Sequence, residues 1–108
     1  MIRPTYRSCH KDWGEVATIL RHALEDGVPE DEYVTVTDCL RAAEDELTTI
    51  EDQKLQNSEE EYKALTEQIK GAKNDLEEVK DERNKIIKTA AQAEKMLALL
   101  TKLIPLLA

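Results

Sequence analysis

The sequence is poor in the residues that build turns, aromatic cores and disulfide frameworks. Its 108 residues include 3 glycines, 3 prolines, 2 cysteines and no phenylalanine, and aromatic residues make up 4%. Because glycine and proline are scarce, we expect few turns and long elements. Since large aromatic side chains are rare, the core has to come from Leu, Ile, Val and Ala. Two cysteines, Cys9 and Cys39, cannot make a disulfide framework.

Positive charge is also in short supply. The chain has 15 Lys and Arg against 23 Asp and Glu, a net charge of −8. Nucleic-acid binding needs clustered cations that neutralise phosphates, so this balance argues against a nucleic-acid partner. Most of the acid lies between Glu25 and Glu82, which favours a solvated helix surface or a basic partner. The N-terminal stretch MIRPTYRSCHKDW lacks the apolar segment of a signal peptide, so we expect a cytoplasmic or otherwise intracellular protein with reduced cysteines.

No motif for catalysis or cofactor binding stands out. The spacing of Cys9, His10, His22 and Cys39 matches no usual zinc pattern, so we expect no metal. Runs of carboxylates such as 59–61 lack the pocket that acid–base catalysis requires. The three glycines are isolated and cannot form a phosphate-binding loop. The sequence therefore predicts a protein without catalytic residues or cofactors, not an enzyme.

The first half predicts two helices after a basic arm. Residues 1–11 are interpreted as a flexible arm, and Asp12 and Glu15 have the spacing of a capping box that opens a helix over 12–26. Gly27 is a natural C-terminal stop for this helix. One apolar stripe on it should pack into a bundle: Trp13, Val16, Leu20 and Leu24.

Residues 28–37 are interpreted as a connecting loop, in which Thr35 or Thr37 caps a second helix over about 38–56. Segment 12–57 would then form a hairpin-like unit. Ser58 and Glu61 again have capping-box spacing, which favours a turn near Asn57. A continuous helix with a phase shift is the alternative.

Segment 58–108 carries a heptad pattern typical of a long coiled-coil helix. At ~1.5 Å per residue, a helix over 58–104 would form a rod of roughly 70 Å. The two shorter helices cannot cover such a rod, so the seam should bury itself against further copies of the chain. We expect a homo-oligomer, with a dimer favoured and a trimer or tetramer possible. The predicted interface residues are Tyr62, Leu65, Ile69, Leu76, Val79, Arg83, Ile86, Ala90, Ala93, Leu97, Leu100 and Ile104.

The C-terminal stretch AEKMLALLTKLIPLLA is apolar beyond the two seam positions. Its apolar part is shorter than the ~20 residues that span a bilayer, so a membrane partner is not favoured. A face this wide needs three or four helices to cover it, which predicts that the coiled coil widens into a bundle.

These patterns predict an all-α fold made of a short, a medium and a long heptad-patterned helix. The function expected first is a non-enzymatic oligomerisation and protein-interaction module that self-associates through the seam of 62–104. Two alternatives stay open: a monomeric three-helix spacer, and a small regulatory adaptor whose apolar C-terminal helix binds a different protein.

Overall fold

The computed structural model describes residues 3–107, and within this range the chain forms six α-helices. Short 3₁₀ turns at Glu30–Glu32 and Ile104–Leu107 precede the second helix and follow the last. The all-α prediction is confirmed. The helices are α1 (Tyr6–Asp26), α2 (Tyr33–Asp52), α3 (Glu67–Gly71), α4 (Lys73–Asp81), α5 (Arg83–Ile86) and α6 (Ala90–Leu103).

Helix α1 begins at Tyr6, so the predicted start at Asp12 and the flexible arm up to residue 11 are wrong over 6–11. The real capping box joins Thr5 and Ser8, whose side chains and backbone N–H groups bond reciprocally. The backbone next to this cap is also fixed from outside the helix. Tyr6 N–H donates to the Glu60 carbonyl at 3.1 Å, and Tyr62 N–H donates to the Pro4 carbonyl at 2.9 Å. Residues 1 and 2 of the predicted arm lie outside the described range.

The C-terminal end of α1 agrees with the prediction. The helix stops at Asp26, and Gly27 follows with φ 92°, a backbone conformation that favours glycine. The N–H of Gly27 donates to the carbonyl of Leu24 at 3.3 Å.

Helix α2 includes the stretch that was predicted to be a loop. It runs from Tyr33 to Asp52, so neither Thr35 nor Thr37 caps it and its end precedes residue 56. Residues 33–37 are β-branched or aromatic, but this intrinsic preference is weak compared with packing. A helix over this stretch places Val36 and Cys39 in the interior with no exposed surface. This burial outweighs the strand propensity of residues 33–37.

The turn between the halves is confirmed, but it is longer than predicted and its caps differ. Residues 53–66 contain no helix. The Ser58 hydroxyl accepts a hydrogen bond from Glu60 N–H at 3.1 Å instead of opening a helix with Glu61. The next helix, α3, begins at Glu67 and is capped by Thr66.

The predicted long helix is wrong. The chain is interrupted at Ala72, at Glu82 and over 87–89, where Thr89 caps α6. The molecule measures 38 × 26 × 22 Å with a radius of gyration of 13.2 Å, which excludes a rod of roughly 70 Å. Helix α6 folds back onto α1 and α4, and α2 packs between α1 and the pair α3–α4.

The predicted seam lies mostly in the core of a single chain. Ala90 is exposed, and Leu65, Arg83 and Leu97 are partly buried. A second copy could reach the buried seam only if this core opened. The buried members are Tyr62, Ile69, Leu76, Val79, Ile86, Ala93, Leu100 and Ile104.

The apolar C-terminal stretch and the stripe on α1 complete the same core. Trp13, Val16 and Leu20 have no exposed surface, and Leu24 packs at the edge. Met96 and Leu103 of α6 are equally buried. In the described part of the chain, no helix has the length and apolar character required to cross a membrane.

Candidate functional site

The four Cys and His side chains do not converge on one site. Cys9 and Cys39 are buried, and burial raises the pKa of their thiols to about 11 and about 12. His22 is exposed, whereas Nε2 of His10 lies 2.9 Å from a carboxylate oxygen of Glu51. Within residues 3–107, no group of three or more His, Cys, Asp or Glu side chains is arranged to hold a metal ion.

One carboxylate, that of Glu46, lies fully inside the core. Its Oε1 accepts hydrogen bonds from the Tyr62 hydroxyl at 3.1 Å and from Leu65 N–H at 2.6 Å. Its Oε2 accepts from the N–H of Thr66 at 3.0 Å and from the Thr66 hydroxyl at 2.9 Å. Because both oxygens are occupied by the chain's own donors, Glu46 is suited to hold the turn before α3 rather than to bind a ligand.

The apolar surface is unevenly distributed. Among the described residues, the large hydrophobic side chains that remain exposed are Tyr33 and Val34, which are 57% and 67% accessible. They are adjacent and form the outer side of the first turn of α2. Single exposed apolar residues are common, but an exposed aromatic residue beside an exposed aliphatic one is a candidate contact surface.

A shallow groove of about 310 Å³ continues this surface along α2. Leu40 lies in it, seven residues and thus about two helical turns after Tyr33 on the same side of the helix. We call Tyr33 and Val34, with the groove, the α2 outer face. The groove is lined by Thr37, Leu40, Arg41, Glu44 and Asp45.

Carboxylates gather where α2 begins, because the charges of Asp31, Glu78 and Glu82 all act on Glu32 there and α2 packs against α4. The Thr35 hydroxyl donates to Oε2 of Glu78 at 3.5 Å, which joins the first turn of α2 to α4. Lys85 pairs with Glu82 at 3.1 Å. We call Asp31, Glu32, Glu78 and Glu82 the acidic cluster.

Glu32 is the most unusual member of this cluster. It is 5% exposed, and its Oε2 is buried without a hydrogen-bond partner. Burial raises the pKa of the Glu32 carboxyl above its usual value, and the charges of Glu78, Asp31 and Glu82 raise it further. A buried carboxylate without a partner is costly for the folded state, so the cluster is under electrostatic strain at neutral pH.

Sequence reasoning missed this surface because it interpreted 28–37 as a loop. A usable signal was present: helical spacing from Val36 through Cys39 to Ala43 places these residues on one side of a helix. Tyr33 and Val34 then fall outside that buried stripe, next to an acidic run.

Comparison of the chain with models of protein families, with curated proteins and with solved structures gives no match.

Proposed function

We propose that the chain is a non-enzymatic protein-interaction module that folds as a single copy and docks another protein on the α2 outer face. The observation that carries this proposal is the joint exposure of Tyr33 and Val34, whereas the other large apolar side chains of residues 3–107 are buried or half-buried. Tyrosine combines an apolar ring with a polar tip and is enriched at protein interfaces.

The burial of the heptad seam supports placing the interaction elsewhere on the chain. Exposing a fully buried Leu or Ile to water costs roughly 1.5–3 kcal/mol per side chain. Leu76, Ile86 and Leu100 have no exposed surface, so pairing two chains through them would first require that cost. The proposal thus retains the adaptor alternative, with the contact moved from the C-terminal helix to α2.

The experiment is a quantitative capture comparison using the full chain as bait in lysate from the cells that naturally contain it. The test variant is Tyr33→Ser with Val34→Ser. The matched control is Ala90→Ser with Ala91→Ser, because this exposed pair also lies in the first turn of a helix. Exposed substitutions usually change stability by no more than about 0.5 kcal/mol, so all three proteins should melt alike.

We expect at least one protein to be captured by the wild type and by the control but lost with the test variant. Equal capture by all three baits would show that the α2 outer face is not the docking surface.

A further inference from the structure

The acidic cluster carries more negative charge than the chain itself neutralises. It contains four carboxylates, and the Lys85 ammonium pairs with one of them, which leaves three without an ion pair in the described part of the chain. Asp31 and Glu78 are exposed to solvent, whereas Glu32 is buried. Carboxylates set against a low-dielectric wall raise the local concentration of cations.

The buried, unpartnered oxygen of Glu32 would be stabilised by a nearby positive charge. Within the described residues, Oε2 of Glu32 is buried from solvent and has no hydrogen-bond donor, and only the Lys85 charge acts on it in the favourable sense. A positive group held by the exposed carboxylates of Asp31 and Glu78 would lie in its field. Such a group would relieve the repulsion between Glu32 and the other carboxylates, and this gain would favour the bound state.

Lys85 shows which cation chemistry this cluster accepts. Its ammonium lies 3.1 Å from Oε2 of Glu82, and the charges of Asp31 and Glu32 also act on it. An ammonium on a flexible stem is therefore already accommodated at one edge of the cluster. A bare metal ion is not indicated, because the carboxylates of residues 3–107 form no metal-holding group.

The cluster meets the α2 outer face at the first turn of α2, since Thr35, the residue after Val34, donates a hydrogen bond to Glu78 at 3.5 Å. An occupant of both surfaces needs an apolar part for Tyr33 and Val34 and a positive charge for the carboxylates. Nucleic acids and anionic lipids are negatively charged, so the carboxylates would repel them.

We propose that the partner docked on the α2 outer face is a cationic protein segment, one of whose Lys or Arg side chains is held by the acidic cluster. This inference rests on the proposed function and adds the chemistry of the partner. Charge complementarity of this kind sets the selectivity and the salt dependence of association.

The test uses the ¹⁵N-labelled full chain and two synthetic peptides. One is a helix-forming peptide of Ala, Leu and Lys, and the other has Gln in place of each Lys. Amide shifts locate the contact, and fluorescence anisotropy gives the Kd at about 0.05 M and about 0.5 M salt, which changes the screening length severalfold.

The test variant is Glu32→Gln with Glu78→Gln, which keeps the pair between Glu82 and Lys85. The matched control is Glu60→Gln with Glu94→Gln, two exposed carboxylates elsewhere, so that both proteins change net charge equally. We expect the Lys peptide to shift the amides of α2's first turn and to bind about tenfold more weakly to the test variant. The control variant and high salt separate this loss from general attraction to an acidic protein.

Equal affinity of the Lys and Gln peptides on this face would overturn the cationic inference while leaving the docking surface intact. Equal loss of affinity in the test and control variants would also overturn it, because the attraction would then be general. Amide shifts confined to other surfaces, or none with either peptide, would count against the docking surface itself.

Discussion

The hydroxyl of Tyr62 donates a hydrogen bond to Oε1 of Glu46 at 3.1 Å in the interior of the chain. Trp13 Nε1–H donates in turn to the Tyr62 hydroxyl at 3.2 Å. These bonds connect α1, α2 and the turn before α3. Burial, together with the nearby Glu46 charge, raises the pKa of Tyr62, so the phenol keeps its proton.

We predict that Glu46→Gln is among the most destabilising polar substitutions in this chain. The amide offers one acceptor oxygen where the carboxylate offers two, and its NH₂ group would face donors. Buried hydrogen bonds to a charged group contribute about 1.5–3 kcal/mol, so we expect a loss of at least about 3 kcal/mol in the free energy of unfolding. Urea denaturation measures it.

The comparison is Tyr62→Phe, which removes one donor to Glu46 and the acceptor of Trp13. This substitution should lower the free energy of unfolding by about 1–2 kcal/mol. A Glu46→Gln protein as stable as wild type would show that the carboxylate does not hold the turn over 53–66.

Lys102 should stabilise the attachment of α6 to α1. Its Nζ lies 2.7 Å from Oδ2 of Asp12, which is 8% exposed, whereas the Lys102 side chain is 49% exposed. Lys102→Met would leave the Asp12 carboxylate buried and unpaired. Allowing for solvent screening on the lysine side, we expect a loss of about 1–2 kcal/mol in unfolding free energy.

Lys95→Met is the matched control on the same helix. Nζ of Lys95 lies 3.5 Å from Oε2 of Glu15 in a more exposed pair. Losing this ion pair should lower the free energy of unfolding by no more than about 0.5 kcal/mol. Equal melting temperatures for the two variants would mean that the Asp12 pair adds no stability.

Sedimentation equilibrium should give a mass near 12.3 kDa over a wide concentration range. The reason is that the heptad seam is filled by the chain's own helices. Leu76→Asp with Ile86→Asp should therefore unfold the chain, because each change puts a charge into the core. Circular dichroism should show the loss of helix.

A defined dimer or trimer that the same double variant converts into a folded monomer would instead support self-association through the seam. In that case the structure of the assembled protein would have to differ from the single-chain fold described above.

Glu32 should make stability depend on pH in a specific direction. Its pKa is raised above the usual 4.5 in the folded chain by burial and by Glu78, Asp31 and Glu82, with Lys85 acting in the opposite sense. Folding then binds a proton between the unfolded and folded pKa values. The contribution of Glu32 is most favourable below pH 4.5 and is lost as pH rises through the folded pKa.

The measurement compares urea midpoints of wild type and Glu32→Gln across this pH range. Because glutamine stays neutral, the variant should gain stability over wild type as pH rises and be the more stable protein at neutral pH. A difference that does not vary with pH would show that Glu32 titrates as it does in the unfolded chain.

The sequence alone predicted the parts of the fold that depend on local patterns. Helical spacing identified the buried stripe of Trp13, Val16 and Leu20, and Gly27 marked the end of α1. The all-α class followed from the helical and heptad spacing of the apolar residues. These features are local because they depend on which side of a helix is apolar and on which residue can adopt positive φ.

Only the tertiary structure decided what covers each apolar side. The 3–4 spacing of the seam is the same for a long coiled coil and for several short helices that share one core. Breaks at Ala72, Glu82 and 87–89 divide the segment, and α6 packs back on α4, so a spacing typical of a rod lines the interior of a single chain. Thr5 caps α1 at a point where the residues on either side of it, Pro4 and Tyr6, are hydrogen-bonded to the distant segment 60–62. The carboxylate of Glu46 accepts hydrogen bonds from backbone N–H groups nineteen and twenty residues later in the chain. Such contacts between distant residues depend on the packed chain and leave no periodic signal in the sequence.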